Sequence, residues 1–571
     1  MSSEQSFMKA AFFGVVAEEM VFPYPTMAED EANRVRKLCA SLGRTLDGFD
    51  AAQIDRERQI PPSLLDAFRA AGVFGLYLPK SVGGAGLSEF GATRVMQAIA
   101  EHNPAVALTL LTHGAMGARA VLAFGTDEQK ARLLPELASG RSVAAFALTE
   151  RSSGTDAATV RTQAMWQGDR NAFILDGEKP WVTNADIASL ITVFARTNRA
   201  DEGHKPALTA LLVSPGEGVT VGQRHRTLGV RGLGVAPVRF DSVAVGKDAV
   251  LGEVGKGYRV AMEVLNDARV ALGAVSFGQA RALLTRMVQH VGHRRSFGRA
   301  IADFPIIKDK IAKMMADCYA VESMLYLTAG LSDRHVEDHS LESAICRVAA
   351  VESLWRVVNE ALQVVAGRGY VEGGGFARAL RDARVGFVLD GTNETLRCFI
   401  ALSGLRGPGE RLEMDGALLE PLKGLGLLRR FAPRKVREAL RRERVSRAHP
   451  LLSRESVIFE ETVTDFHQVA VRALREHGRE IAEMQYTQKR LANVAIDLYA
   501  LTACLSRTTL AIESRGESGA RREIDLTTMF ASAAQSRMRA HLRRCDHNDD
   551  ELRKAIAARA YTDGGYPFDV I

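Results

Sequence analysis

Phe146-Ala-Leu-Thr-Glu-Arg-Ser-Ser-Gly-Thr-Asp156 joins an apolar strand to a run of hydroxyls, acids and one glycine. Such a loop offers backbone N–H groups and hydroxyls to a polar ligand, and Gly154 allows close approach. It also marks a change of texture. Residues before it read as helices: spaced apolar residues over Leu64–Ala71, an apolar helix opened by Asn103-Pro104 and running to about Phe124, and another begun by the N-cap Thr126. Gly83–Gly86 reads as a loop between them. From Ala144 onward, short β-rich runs follow: Ala144–Leu148, Phe173–Leu175, Leu190–Arg196, Ala207–Val213 and Val238–Val245. Gly, Asp and Asn separate them, which predicts an antiparallel sheet or barrel. Helical periodicity returns from about 258 to 405. Segregated α, β and α blocks predict an α+β, mostly α class and exclude a doubly wound βαβ sheet.

The 571 residues suggest about three or four folding units. With 46% hydrophobic and 25% charged residues, a disordered or collagen-like chain is excluded. The net charge of +6, from 74 basic and 68 acidic residues, is too mild for a strongly basic nucleic-acid binder. The excess is concentrated. Lys423–Arg447 holds ten basic and two acidic residues, interleaved with Leu425, Leu427, Leu428, Phe431, Val436 and Leu440. It reads equally as a solvated linker and as an amphipathic segment suited to a membrane surface. Six dispersed cysteines fit a reducing compartment and no zinc site. The apolar Ala10–Ala17 stretch is too short to span a bilayer, and no later segment reaches about 18 uncharged apolar residues. No transit peptide is evident, so the expected location is cytoplasmic or peripheral on an inner membrane face, with the mitochondrion as the eukaryotic alternative. The expected divisions are 1–145 (helical), 146–257 (β), 258–407 (helical bundle), 408–450 (basic linker) and 451–571 (additional helices).

Three further segments carry chemistry. In Trp181-Val-Thr-Asn184 an indole beside a hydroxyl can wall a flat heterocycle and hydrogen-bond its edge. In Val388-Leu-Asp-Gly-Thr-Asn393 an acid between an apolar pair and a glycine reads as an Asp-Gly turn or as a partly desolvated base. Gln363-Val-Val-Ala-Gly-Arg-Gly-Tyr370 is a Gly-x-Gly break after a helix.

Taken in order, these segments resemble the acyl-CoA dehydrogenase family. Leu148-Thr-Glu-x-x-Ser-Gly-Thr-Asp156 is similar to its first signature, and Gln363–Asp382 to its second, with Ala366 where a Gly is usual. Asp267-x-Arg269, Arg294-Arg-Ser-Phe-Gly298 and Gly391-Thr-Asn393 also match. Val21-Phe-Pro-Tyr-Pro25, Gln488-x-Arg-Leu-Ala492 and Ala495-Ile-Asp-Leu-Tyr-Ala500 resemble the very-long-chain branch, as does the added C-terminal helical domain.

The resemblance implies a helical N-terminal domain, a middle β-domain and a helical bundle, with FAD as cofactor. It implies that Phe146, Leu148, Thr149, Ser153, Gly154, Thr155, Trp181, Val182 and Thr183 surround the flavin, and that Thr392 and Asn393 hold the cofactor's phosphate region. Arg294, Ser296, Phe297, Gln363 and Gly367 would reach the FAD of a partner subunit in a homodimer. Thr155, Asn266, Asp267, Arg269, Leu389 and Gly391 would contact the acyl-CoA substrate. The implied reaction is α,β-dehydrogenation to the trans-2-enoyl-CoA, with hydride leaving to flavin N5 and electrons passing to an electron-transfer flavoprotein. The position of the family's usual Glu base holds Asp390, shorter by one methylene, and the alternative base position holds Ala268. Three readings follow: Asp390 serves with an adjusted substrate pose, catalysis is slow, or the chain is a non-catalytic FAD-binding scaffold. Leu111 is bulky in the helix that lines the acyl tunnel of relatives.

Overall fold

The computed structural model describes residues 6–198, 207–418 and 444–570, with backbone alone for 411–418. All but the last four residues of the basic stretch 423–447 lie outside the described residues. The described residues form two compact units, one of residues 24–396 and one that joins residues 6–23 with those from Arg397 onward.

In the first unit, helices α2 (Glu29–Asp47), α3 (Ala51–Glu57), α4 (Pro62–Ala70) and α5 (Glu89–His102) precede the apolar segment opened by Asn103. The Asn103 side chain accepts from the Ala105 and Val106 N–H groups, as an N-cap should. The helix then changes winding: α6 (Pro104–Leu110), a π-helical stretch (Leu111–Ala118) and α7 (Arg119–Phe124). Such stretches are rare and favour functional sites. Leu111 is fully buried in the core. Thr126 and Gln129 form a capping box at the start of α8 (Asp127–Ser139).

The sheet contains β1 (Ala144–Ala147), β2 (Gln163–Gln167), β3 (Ala172–Thr183), β4 (Leu190–Thr197), β5 (Ala207–Val213), β6 (Val219–Val221), β7 (Val235–Gly246) and β8 (Val250–Leu251). Its order is β6-β7-β3-β2-β4-β5-β8, with β1 also on β4. The expected antiparallel sheet or barrel also contains two parallel pairings. Both β1 and β2 run parallel to β4, through Ala144↔Leu190 and Gln163↔Arg196. Alternation along a strand reports its faces, not its direction. The long connection from β1 to β4 contains β2 and β3, so a parallel return is available.

The bundle comprises α9 (Gly257–His293), α10 (Pro305–Asp333) and α11 (Ser340–Val365), then α12 (Gly367–Tyr370), α13 (Phe376–Ala383) and the start of α14 (Asn393–Leu418). A hairpin of β9 (Arg295–Ser296) and β10 (Arg299–Ala300) lies between α9 and α10. Ala366, at φ 55°, occupies backbone space that favours glycine, which accounts for a Gly being usual there.

The second unit corrects the expected first division. Residues 7–12 form the short helix α1, whose Phe7, Met8 and Phe12 are buried. Phe12 packs edge-on against Phe466 at 4.6 Å, and Phe7 lies 6.3 Å from Tyr499. The apolar N-terminal stretch is therefore core material for this unit, which also holds α15 (Ser453–His477), α16 (Gln485–Gly519), α17 (Arg521–Asp546) and α18 (Asp550–Asp563). Pro104–Phe124 and Gln485–Gly519 are long and apolar enough to cross a membrane, but 89% and 78% of their apolar windows are buried within the protein.

Candidate active site

The loop after β1 is built from within. Glu150 and Ser153 exchange backbone hydrogen bonds in a tight turn, at 2.8 and 3.2 Å. The Ser153 hydroxyl is buried and donates to the Asp156 carbonyl. Its side chain therefore shapes the turn. Fully buried Lys179, on β3, donates to the Leu148 carbonyl at 2.9 Å and to Glu150 Oε1 at 2.8 Å. Glu150 also accepts from the N–H groups of Arg161 (2.6 Å) and Thr162 (2.9 Å). Burial opposes the Glu150 charge, but bonds from Lys179, Thr162 and Arg161 outweigh it and hold the carboxyl down at about 2. Burial draws Lys179 down to about 8 against the attraction of Glu150. This buried ion pair fixes the loop from behind; the sequence reading had no role for Lys179.

The adjoining face is open. A Cβ on Gly154 would meet nothing within 4 Å. Trp181 is 49% exposed, and Phe146 leans on Phe194 at 4.8 Å. Thr149 and Thr183 are half-buried, and their hydroxyls have no hydrogen-bond partner among the described residues. Val182 is buried in the sheet core, so it supports the face from within. The Thr155 hydroxyl lies 3.4 Å from that of Thr395. Two residues beyond the expected set hold this face in register. Asn184, at φ 65°, donates to the carbonyls of Thr109 and Ala144 and so binds the end of β3 to the helix and to β1. His113 accepts from the Ala144 N–H at Nδ1 (3.0 Å) and approaches the Leu137 carbonyl through Nε2 (3.1 Å), which assigns the neutral Nε2–H tautomer. Gly117 permits the close approach, since a Cβ there would sit 2.3 Å from that of Ala144.

Burial lowers His113 to about 4. Its unfolded-state pKa is higher, so the unfolded chain binds more protons between about 6.5 and 4. His113 thus costs stability as pH falls through that window, up to about 3 kcal/mol. His113→Gln should flatten this part of the stability curve, measured by chemical denaturation from pH 7 to 4.5.

The Asp390 loop lies between α13 and α14. Asp390 has φ 60° and Gly391 φ 84°. Asp390 keeps some exposure as a residue, yet both carboxylate oxygens are closed to solvent and have no hydrogen-bond partner. Burial pushes the carboxyl up to about 6, against the lowering effect of Arg269 and then Arg347. Arg269 is buried on α9 and donates to Asn266 Oδ1 at 2.6 Å. Fully buried Arg347, on α11, donates to Asn393 Oδ1 and to the carbonyls of Gly386 (2.8 Å), Leu389 (2.6 Å) and Gly391.

The other expected residues are placed as follows. Asn393 is buried, with Oδ1 taken by Arg347 and Nδ2 donating to Glu352 at 3.1 Å. Its amide is turned inward, toward Arg347 and Glu352. Thr392 caps that helix by accepting from the Thr395 N–H. Asp267 is engaged by Arg119 at 2.9 Å and His339 at 3.5 Å, so it braces α9 and holds no unpaired charge for a ligand. Arg294, Phe297, Gln363 and Gly367 are exposed, Phe297 to 94%, and Ser296 is half-buried.

Family models match most of the chain. The models of the acyl-CoA dehydrogenase N-terminal, middle and C-terminal domains match residues 30–141, 145–243 and 255–405. A very long-chain specific acyl-CoA dehydrogenase, mitochondrial, of Macaca fascicularis is 35% identical over 94% of this chain and 84% of its own. The chain belongs to the acyl-CoA dehydrogenase family. The human protein of the same name is 34% identical with the same coverage. Residues 450–566 match the ACAD9/ACADV C-terminal domain, so this family member carries the extra helical domain. Among solved structures, an acyl-CoA dehydrogenase complexed with FAD from Bacillus anthracis has a TM-score of 0.81 at 24% identity, covering 98% of this chain and 96% of that one. Butyryl-CoA dehydrogenase from Megasphaera elsdenii has a TM-score of 0.63 at 28% identity, covering 66% and 99%. The enzyme is a flavin-dependent acyl-CoA dehydrogenase and its cofactor is FAD. The open Gly154 face, the exposed Trp181 and the unengaged hydroxyls of Thr149 and Thr183 fit a flat, polar-edged ring.

Proposed function

We propose that this dehydrogenase oxidises an acyl-CoA thioester at its α and β carbons to the trans-2-enoyl-CoA, with Asp390 removing the α proton. The observation that carries this reading is the Asp390 carboxylate: closed to solvent, without a hydrogen-bond partner, and flanked by two arginines. A base so placed accepts a proton without first giving up a partner, and its pKa lies near working pH. The Asp390 N–H also has no partner among the described residues and is available to the thioester carbonyl, where enolate charge develops. Thr149 and Thr183 orient the cofactor's edge, Trp181 walls it, and the N-terminus of α14 suits its phosphates. FAD supplies the hydride acceptor when bound. Electron-transfer flavoprotein as oxidant, a homodimer joined near the exposed Phe297, and peripheral membrane contact through 423–447 complete the reading.

Anaerobic titration of the holoenzyme with straight, branched and cyclic acyl-CoAs tests it. Bleaching of the flavin band by one class is expected. Tight acyl-CoA binding without bleaching by any of them would favour the scaffold reading. The pH dependence has a stated sign. The reduction rate should rise as pH increases through about 6, following ionisation of Asp390, and level off above it. A rate independent of pH between 5 and 7.5 would contradict Asp390 as base.

A further inference from the structure

We propose that Arg347 is a positioning residue for the proton-abstraction step: its guanidinium holds the left-handed turn that presents Asp390 and, with Arg269, supplies the positive charge facing the carboxylate. This rests on the reading of Asp390 as base. Arg347 lies 43 positions upstream, on a different helix, and belongs to none of the motifs around the flavin or the base.

The geometry is specific. One guanidinium collects the carbonyls of Gly386, Leu389 and Gly391 together with Asn393 Oδ1. Two of those carbonyls belong to the residues on either side of Asp390. Three carbonyls from a six-residue span can meet at one point only if the chain reverses there. An L-residue at φ 60° is strained, so the turn needs an external restraint. The planar fork of an arginine can restrain several acceptors at once, whereas a lysine is a point charge. The fork also reaches Asn393, so the turn and the first residue of α14 are fixed together.

The electrostatics act in the same direction. Arg269 from α9 and Arg347 from α11 both face Asp390. Glu352 on α11 and Glu394 on α14 face Arg347, and Tyr258 faces Arg269. Burial lowers Arg347 to about 10, which leaves it charged at pH 7. Removing it leaves Arg269 as the one cation acting on the base among the described residues, so the carboxylate would ionise at higher pH.

The test uses the full-length, FAD-loaded protein with Arg347→Met, Arg347→Lys and Asp390→Asn. The probe is a 3-thiaacyl-CoA, whose α proton can be removed while no hydride follows. Its deprotonation is read as a long-wavelength charge-transfer band, titrated from pH 5 to 9, alongside anaerobic reduction by acyl-CoA. Arg347→Met should move the band's midpoint up by about one pH unit and slow reduction about 100-fold. Arg347→Lys should keep the midpoint near that of the wild type but lose about 10-fold in rate, because the charge stays and the fork is lost. Variants that lose only thermal stability or FAD content, with wild-type midpoint and per-flavin rate, would overturn the inference. If Arg347→Met does not fold, Arg347→Lys decides: an unchanged per-flavin rate overturns the positioning role. Asp390→Asn separates the two levels. A band retained in Asp390→Asn means that Asp390 is not the base; a band lost there but unmoved in Arg347→Met refutes the role of Arg347 alone.

Discussion

Asp390→Asn should retain FAD and acyl-CoA binding while flavin reduction falls by about 10²–10⁴-fold, the usual range for loss of a positioned general base. The amide has nearly the same shape as the carboxylate and cannot take a proton at neutral pH. The loop should not collapse, because Arg347 bonds to the carbonyls of Leu389 and Gly391 and not to the Asp390 side chain. The same variant should be more stable. The folded state raises Asp390 to about 6 from its ordinary 3.8, so the folded state binds more protons between those values. Stability therefore falls as pH rises from about 4 to about 6, and above that the wild type bears a cost of about 3 kcal/mol. Asn carries no charge and avoids that cost. Stopped-flow reduction and urea denaturation of the apoprotein at pH 7.5 read both effects. A variant as active as the wild type would remove Asp390 from the mechanism. A variant that is inactive but less stable would mean that the carboxylate is not a strained functional group.

Lys179→Met should unfold the flavin face. The substitution preserves much of the side-chain volume and removes the cation, so Glu150 is left charged and buried with only the Arg161 and Thr162 N–H groups. Breaking one side of a buried pair costs about 3–5 kcal/mol, whereas replacing both partners is often close to neutral. Lys179→Met with Glu150→Leu should therefore recover much of the loss. Lys179 also holds the Leu148 carbonyl, which places the neighbouring Thr149. The purified single variant should come with little FAD and a lowered Tm; the double variant should regain Tm more fully than FAD. Wild-type flavin content and unfolding free energy in the single variant would show that the pair does not hold this loop.

Much of the architecture was legible because its signals are local. Helical and strand periods differ within a few residues, so the α, β, α order could be read directly. The caps at Asn103 and Thr126 are encoded by the residue itself and its neighbours. The candidates Thr149, Thr183, Trp181 and Asp390 were all singled out from short motifs. What a motif does not carry is direction. Ser153 and Asn393 have suitable chemistry for a cofactor, but the fold turns one hydroxyl into its own turn and one amide onto Arg347. Asp267 was read as a ligand contact and is paired with Arg119 and His339.

By itself, the sequence determined the class, the domain order, the family and the departure of Asp390 from the usual base, since each depends on residue identity and short spacing. Only the tertiary structure decided the parallel pairing of β1 and β2 with β4, the burial of α1 in the second unit, and the ion pair behind the flavin loop. It alone also brought Arg347 beneath Asp390. These depend on which distant segments exclude water together, and the energy of a charge is set by the groups around it after folding.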